Sequence, residues 1–307
     1  INLKELDLGQ NEINFIDFET FNSIRNLEIL NLDHNFIKEL STINKIKLNN
    51  LKTLNLNKNH INGVIVLENL NLIRNLYLSD NFLNSVEFKL NQENLLEAIH
   101  LRNSKLSKII DLNKLRNLRV VDFSFSKLNC TYVLNMLSSE KKQNIRVLKL
   151  SGLNLTSINF LYEFQSVEEL DLSFNHFNLD RVFMINSFNL KTIMLENCNI
   201  SSIDKKYFDF EQFVFLYEIN LSHNYIKVIK ESYFKYSLYL KKINLTNNLI
   251  FFVESNAFRN NFFYMLDLSF NKITSKLNFG SIEKLFIDNN FFNQTSRLHE
   301  FNHMSNN

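Results

Sequence analysis

The chain has 307 residues, of which 45% are hydrophobic, 13% aromatic and 21% charged, so the composition predicts a folded protein and excludes a disordered one. The formal net charge of +2 is too small for the electrostatic footprint of a nucleic-acid-binding or membrane-surface protein. No apolar run approaches the roughly 18 residues that span a membrane.

One motif recurs along the chain. The pattern Leu-x-x-Leu-x-Leu-x-x-Asn-x-Ile, or a near copy of it, occurs thirteen times. The first three copies begin at Leu3, Leu27 and Leu51 and are therefore 24 residues apart. A period of about 23 residues is typical of leucine-rich repeats, in which each repeat stacks on its neighbours. The later copies follow at intervals of 19 to 27 residues and begin at Ile73, Leu96, Leu118, Ile145, Val167, Leu190, Leu216, Leu240, Phe263 and Ile282.

Each copy predicts one short strand followed by a connecting segment. The Leu-x-Leu portion alternates inward and outward side chains as a strand does, and successive strands are expected to pair in parallel. The predicted fold class is α/β, a right-handed leucine-rich repeat solenoid or horseshoe with one parallel β-sheet on the concave face. Short helical or irregular segments are expected on the convex face.

The repeat also predicts the domain organisation. Residues 1–293 are expected to form one solenoid of about 13 repeats, because no Gly/Ser linker interrupts the pattern. Neither end shows the polar cap that terminal repeats normally carry, so we expect an uncapped fragment of a longer protein. Residues 294–307 are predicted to be a polar end, either a partial repeat or a disordered segment.

The Asn of the motif has a predicted structural role. A coil that enters the core beside a strand leaves backbone groups without partners, and an amide side chain can both donate and accept hydrogen bonds. Ser104, Ser126, Leu153 and Cys198 interrupt the resulting ladder, and Cys198 is expected to be a buried free thiol. The predicted ladder consists of Asn11, Asn35, Asn59, Asn81, Asn175, Asn224, Asn248, Asn271 and Asn290.

Candidate binding residues lie between and just after the buried leucines, where side chains should point outward from the sheet. Exposed aromatic side chains beside charges are the mixture from which interface hot spots are drawn. An alternative for Phe125, Phe174 and Phe270 is that their rings fold back and pack on the next turn. The predicted ligand-binding residues of the concave face are Tyr77, His100, Asp122, Phe125, Lys149, Asp171, Phe174 and Met194.

One motif near the end of the chain has catalytic precedent. The segment from His299 to His303 reads His-Glu-Phe-Asn-His and matches the zinc motif H-E-x-x-H, in which two histidines bind the metal and the glutamate activates water. A zinc metallopeptidase is therefore a remote alternative. Phe301 falls near a predicted buried position, and no third ligand follows within the next four residues. We predict that the protein is not an enzyme and has no cofactor or catalytic metal.

The connecting segments carry a family resemblance. Four of them have an aliphatic residue five positions before a phenylalanine, and two strands read Leu-Asp-Leu-Ser-Phe-Asn, at residues 170–175 and 266–271. In these features the chain resembles the typical subclass of animal extracellular leucine-rich repeats, as in Toll-like receptor and chaoptin-like adhesion ectodomains. The four segments begin at Ile16, Ile203, Ile229 and Val253 and lead to Phe21, Phe208, Phe234 and Phe258.

The resemblance implies an extracellular or cell-surface recognition or adhesion module. Such a module binds a protein or glycoprotein ligand on its concave face, can form a homodimer or heterodimer, and is held at a membrane only through a segment outside this chain. No nucleic-acid partner is expected. The proline usual in the connecting segments is absent here, and no flanking cysteine cluster is visible. The alternative is an intracellular, cytoplasmic scaffold or regulatory subunit.

Overall fold

The computed structural model divides into two compact units, Ile1–Leu153 (unit 1) and Asn154–Asn307 (unit 2). Each unit is a leucine-rich repeat solenoid built largely on parallel β-structure, so the predicted fold class is confirmed. The repeat predicts no boundary after residue 153, because the motif continues through it. The structure describes residues 2–91, 93–110, 112–129, 137–177, 187–205, 208, 210–235, 237–259, 262–274 and 277–292.

Among the described residues, the main sheet of unit 1 has seven parallel strands in the order of the chain. Every pairing keeps the same register, so Leu30 lies opposite Leu6 on one side and Leu54 on the other. The residue at one position of a repeat therefore stands beside the equivalent residue of the next. The strands are β1 (Glu5–Asp7), β2 (Ile29–Asn31), β3 (Thr53–Asn55), β5 (Asn75–Tyr77), β7 (Ala98–His100), β9 (Val120–Asp122) and β10 (Val147–Lys149).

The described part of unit 2 has six main-sheet strands arranged in the same way. Ile193 lies opposite Leu170 and Ile219, which repeats the register of unit 1. The strands are β11 (Glu169–Asp171), β12 (Thr192–Met194), β13 (Glu218–Asn220), β15 (Lys242–Asn244), β17 (Phe263–Asp267) and β18 (Ile282–Phe286).

Burial explains why such short strands form. The central residue of β2, β3 and β7 is fully buried, whereas both flanking residues of β2 and β3 keep some exposure. Fully burying one leucine stabilises a fold by roughly 1.5–3 kcal/mol, and here that burial requires a neighbouring repeat on each side. The sequence alternation thus produces one buried face and one face that carries polar and aromatic side chains.

The connecting segments contain additional strands where the sequence predicts only helical or irregular structure. In unit 1, β4 (Asn62–Leu67), β6 (Phe82–Phe88) and β8 (Lys108–Ile110) form a second parallel sheet, and in unit 2, β14 (Val228–Ile229) pairs with β16 (Phe252–Val253). The run from Asn62 to Leu67 is rich in β-branched residues, which favour strands over helices. The register shifts at Gly63, whose φ of 78° suits glycine.

The helical segments are one turn or two. They pack apolar residues such as Phe18, Phe21 and Leu161 into the core on the side away from the main strands. The 3-10 helices are Phe18–Ser23, Ile43–Lys45, Leu112–Lys114, Asn159–Glu163 and Phe210–Gln212, and an α-helical turn, α1, spans Ser139–Lys142.

Candidate binding face

The ladder asparagines hydrogen-bond the backbone of two successive repeats. Asn59 is 2% exposed, and its Nδ2 donates to the carbonyl oxygens of Leu32 at 2.9 Å and Leu56 at 3.2 Å. Its Oδ1 accepts a hydrogen bond from the amide of Ile37 at 3.0 Å. Each of these asparagines therefore joins its own turn to the one before it. The same donor and acceptor bonds occur at Asn35, Asn81, Asn224, Asn248, Asn271 and Asn290.

The other two predicted ladder residues also hydrogen-bond the backbone. Asn11 donates to the carbonyls of Leu8 and Gly9 within its own turn, and Asn175 accepts from the amide of Leu155. At the interruptions, the Ser104 hydroxyl donates to Leu101, and the Cys198 thiol donates to the carbonyl of Leu172 at 3.3 Å. Burial raises the pKa of the Cys198 thiol to about 12, so this free cysteine is protonated at neutral pH.

A second group of asparagines with the same chemistry was not predicted. Asn22 donates to the carbonyl of Lys45 at 3.2 Å and accepts from the amide of Lys47. Asn44 does the same one repeat later, where its partners are Val66 and Glu68. The available signal was the spacing of 22 residues between Asn22 and Asn44, which the abundance of asparagine in this chain obscures.

Tyr77, His100 and Lys149 stand at the ends of strands in unit 1 and are partly exposed. The rings of Tyr77 and His100 are stacked, with centroids 4.5 Å apart and an interplanar angle of 10°. Asp122 follows His100 in the register, and Lys149 follows Asp122. Burial lowers the pKa of His100, and the positive charge of Lys149 adds to this effect while the carboxylate of Asp122 opposes it.

The sequence predicts that Asp122 points into solvent, but the structure places it differently. It is 7% exposed, and its Oδ1 accepts a hydrogen bond from the amide of Ser124 at 3.0 Å. Asp171 of unit 2 accepts from the amide of Ser173 in the same way, at 3.0 Å. This is an Asx turn, in which the side chain holds the backbone two residues further on. The same bond occurs with Asp7, Asn31, Asn55, Asn220, Asn244 and Asp267 as acceptors.

The three phenylalanines that precede the ladder position have left-handed backbones, with φ of 56° at Phe125, 57° at Phe174 and 55° at Phe270. A residue other than glycine pays roughly 1–2 kcal/mol for this conformation. Phe125 is partly buried, and a Cβ on Gly152 of the next turn would clash with its ring. Phe125 therefore packs on the next turn, whereas Phe174 and Phe270 are 39% and 53% exposed.

Sequence reasoning missed one residue beside Phe125. The guanidinium carbon of Arg102 lies 4.6 Å from the centroid of the Phe125 ring, which is cation–π geometry. We refer to Tyr77, His100, Arg102, Phe125 and Lys149 as the unit 1 patch. Arg102 stands two residues after His100, and no rule about the leucine period singles it out.

The remaining predicted residues form a smaller group in unit 2. Asp171 and Met194 are neighbours in the register of β11 and β12, and both are partly exposed. Phe174 presents its ring three residues after Asp171. We refer to Asp171, Phe174 and Met194 as the unit 2 patch.

The zinc motif His299–His303 lies outside the described residues. Within the part of the chain that the structure describes, no cluster of three or more His, Cys, Asp or Glu side chains could hold a metal ion. None of the described helices has the length and apolar character needed to cross a membrane.

The recurrent motif, the parallel strands in constant register and the asparagine bonds are those of a leucine-rich repeat solenoid. The family profile described as leucine rich repeat matches residues 1–61 and 215–273. The chain is 28% identical to lumican of Mus musculus over 222 residues, which are 72% of this chain and 51% of lumican. It thus spans about half the length of that relative. Lumican is an animal extracellular leucine-rich repeat protein, so the predicted resemblance to that class is confirmed.

Two solved structures illustrate the shared fold. An internalin, InlF of Listeria monocytogenes, superposes with a TM-score of 0.64 at 19% identity, covering 99% of this chain and 85% of the internalin. Toll in the Toll–Spatzle complex of Drosophila gives a TM-score of 0.64 at 17% identity, covering 94% of this chain and 41% of Toll. Identities this low show the fold alone.

Proposed function

We propose that this protein is a protein-binding recognition or adhesion module of an extracellular or cell-surface protein, and that it binds its ligand on the exposed side of the main strands. The unit 1 patch carries this proposal. The Tyr77–His100 stack and the Arg102–Phe125 pair place aromatic surface beside cationic groups on neighbouring strands. Tyrosine, tryptophan and arginine are the residues most enriched in binding hot spots.

Two of the similar proteins support protein binding and an extracellular location. The solved structure of Toll is a complex with Spatzle in a glycosylated form, so a protein of this fold binds a protein partner. The similarity to lumican, which is an extracellular protein, supports the extracellular location. In this proposal the ligand is a protein or glycoprotein, and the same surface can also form a homodimer or heterodimer. The unit 2 patch is a separate candidate contact surface of that unit, on which Phe174 and Met194 present the exposed side chains.

A binding role also agrees with the chemistry of the face. Leucine-rich repeat proteins related to lumican are typically binding proteins without enzymatic activity. Of the two predicted aspartates, Asp122 is buried and each accepts a backbone hydrogen bond, which gives both a structural role. The proposal is therefore a protein without enzymatic activity and without a cofactor.

The test screens the purified full chain against an array of secreted and cell-surface ectodomains, with cytosolic proteins as a second set. A partner in the first set is expected to bind the wild type and the Val64→Ala control, since Val64 is 64% exposed on β4, outside the main sheet. The double variant Tyr77→Ala/Lys149→Ala is expected to bind at least tenfold more weakly. Undiminished binding by the double variant would overturn the assignment of the face, and partners confined to the cytosolic set would support the intracellular scaffold instead.

A further inference from the structure

In four turns that have no Asx bond, a side chain of the preceding turn serves as the acceptor instead. In eight turns, the backbone amide two residues after the strand donates to an Asp or Asn at the strand end of the same turn, at distances of 2.8 to 3.2 Å. Five further turns have a different residue at the strand end, and these residues are Tyr77, His100, Lys149, Met194 and Phe286. The amide two residues after Phe286 belongs to the exposed Asp288, whereas the turns after Tyr77, His100, Lys149 and Met194 use a different acceptor.

In each of those four turns, the same amide donates to a side chain of the preceding turn. The amide of Arg102, after His100, donates to Ser79 Oγ at 3.1 Å, and the amide of Ser151, after Lys149, donates to Ser124 Oγ at 3.2 Å. The two remaining pairs run from the amide of Ser79 to Asn57 Oδ1 at 2.7 Å and from the amide of Glu196 to Ser173 Oγ at 3.2 Å.

The change of acceptor, from the same turn to the preceding turn, has a functional consequence. An amide left without a partner at a partly buried site destabilises the fold, which favours Asp or Asn at the strand end. A side-chain acceptor of the preceding turn removes that constraint. Ser79, Ser124 and Ser173 are 7%, 0% and 5% exposed, so they lie beneath the face rather than on it.

We infer that Asn57, Ser79 and Ser124 in unit 1, and Ser173 in unit 2, are positioning residues that free Tyr77, His100, Lys149 and Met194 to act as the specificity-determining residues of the exposed face of each unit. This inference rests on the proposed function, because it assigns the recognition role within the same surface. It also separates the six predicted binding residues that stand at strand ends into two groups. Asp122 and Asp171 hold the backbone, and the four residues at compensated turns contact the ligand.

The first experiment measures hydrogen exchange of individual amides in the full chain, without any ligand. Ser79→Ala removes the acceptor of the Arg102 amide, and exchange of that amide is expected to accelerate at least about fivefold, the equivalent of ~1 kcal/mol for one hydrogen bond. Adding His100→Asn to Ser79→Ala supplies an acceptor within the same turn and is expected to return exchange to within about twofold of the wild type. Ser124→Ala with and without Lys149→Asn repeats the cycle at the Ser151 amide.

Ser222→Ala is the matched control. Ser222 occupies the same position as Ser79 and is 2% exposed, but the amide that would need it, in Thr246, already donates to Asn244. Its removal is expected to leave the Thr246 amide unchanged. Equal acceleration in Ser79→Ala and Ser222→Ala, or no rescue by His100→Asn, would overturn the positioning role.

The second experiment measures binding to the partner found with the wild-type chain. Tyr77→Asn and Lys149→Asn keep a backbone acceptor in their turns, so an expected loss of at least tenfold in affinity reports on the side chain and not on the fold. Unchanged affinity in both variants would overturn the recognition assignment. The exchange cycle needs no partner, so its failure would leave the proposed function standing, and a failure to find a partner would not alter the result of the cycle.

Discussion

At the scale of single residues, position in the repeat decides the chemistry of a side chain. His100 stands at a strand end between Tyr77 and Asp122, where it is partly buried and stacked. An exposed histidine titrates near pH 6.5. Burial lowers the pKa of His100 below that value, because the charged imidazolium loses hydration at this site.

The lowered pKa predicts a loss of stability in acid. The unfolded chain takes up the His100 proton near pH 6.5 while the folded chain still resists it, so the unfolded state binds more protons and the free energy of unfolding falls as the pH falls. His100→Gln should therefore lose less stability than the wild type between about pH 7.5 and about pH 5.5, a window above the ordinary range of carboxylates. Urea unfolding at both values measures this difference. Equal losses in the two proteins would contradict the prediction.

At the scale of the structural element, asparagine bonds tie each turn to the next. Asn59 satisfies the carbonyl of Leu32 and the amide of Ile37, two groups of the preceding repeat that are buried away from water. Removing one partner of a buried hydrogen bond costs more than the bond itself contributes, because the remaining group stays unsatisfied.

Asn59→Ala should lower the free energy of unfolding by about 2–5 kcal/mol, since at least two buried backbone groups lose their partner. Asn84→Ala is the matched control, because Asn84 is an exposed asparagine of β6 in the same unit. Its removal should change the free energy by no more than about 0.5 kcal/mol. Chemical denaturation of the two variants and the wild type provides the comparison, and similar values for both variants would exclude a structural role for the ladder.

The elements also show which parts of the fold were open to prediction. The strand positions follow from the leucine spacing, because a fixed period and constant register leave one solution for the buried face. The second sheet that contains β4 and β6 was missed, since the segment from Asn62 to Leu67 has no fixed place in the repeat. Its β-branched composition was a signal, but whether a strand forms there depends on the neighbouring turn.

The sequence predicts where the candidate face lies better than it predicts what each residue of the face does. The sequence indicates which column points away from the core, and Tyr77, His100 and Lys149 lie there. The backbone role of Asp122 and Asp171 was legible in the Asp-x-Ser spacing, which is typical of Asx turns. The bond from the Arg102 amide to Ser79 joins residues 23 positions apart, and only the register of adjacent repeats brings them together.

At the scale of the whole molecule, acidic residues interrupt a column of basic residues. In unit 1, Glu28 stands between Lys4 and Lys52 and binds them at 3.3 Å and 2.6 Å, and Glu97 follows Arg74 and binds it at 2.8 Å. In unit 2, Lys191 binds Glu168 at 2.7 Å. Exposed ion pairs of this kind add little stability, but they divide the positive charge into short segments. Non-specific affinity for nucleic acid rises with the number of phosphates that Lys and Arg neutralise together.

The interruption of the basic column predicts that the full chain does not bind DNA at physiological salt. At roughly 0.15 M salt, the wild type should give no shift of a duplex below about 10 µM protein, because few phosphates can be neutralised together. Glu28→Lys/Glu97→Lys would join Lys4, Lys52 and Arg74 into one basic row and is expected to create binding that weakens steeply as salt rises. The isosteric variant Glu28→Gln/Glu97→Gln removes two negative charges without adding positive ones and should bind only weakly. Tight, salt-resistant binding by the wild type would contradict the prediction and reopen nucleic acid as a partner.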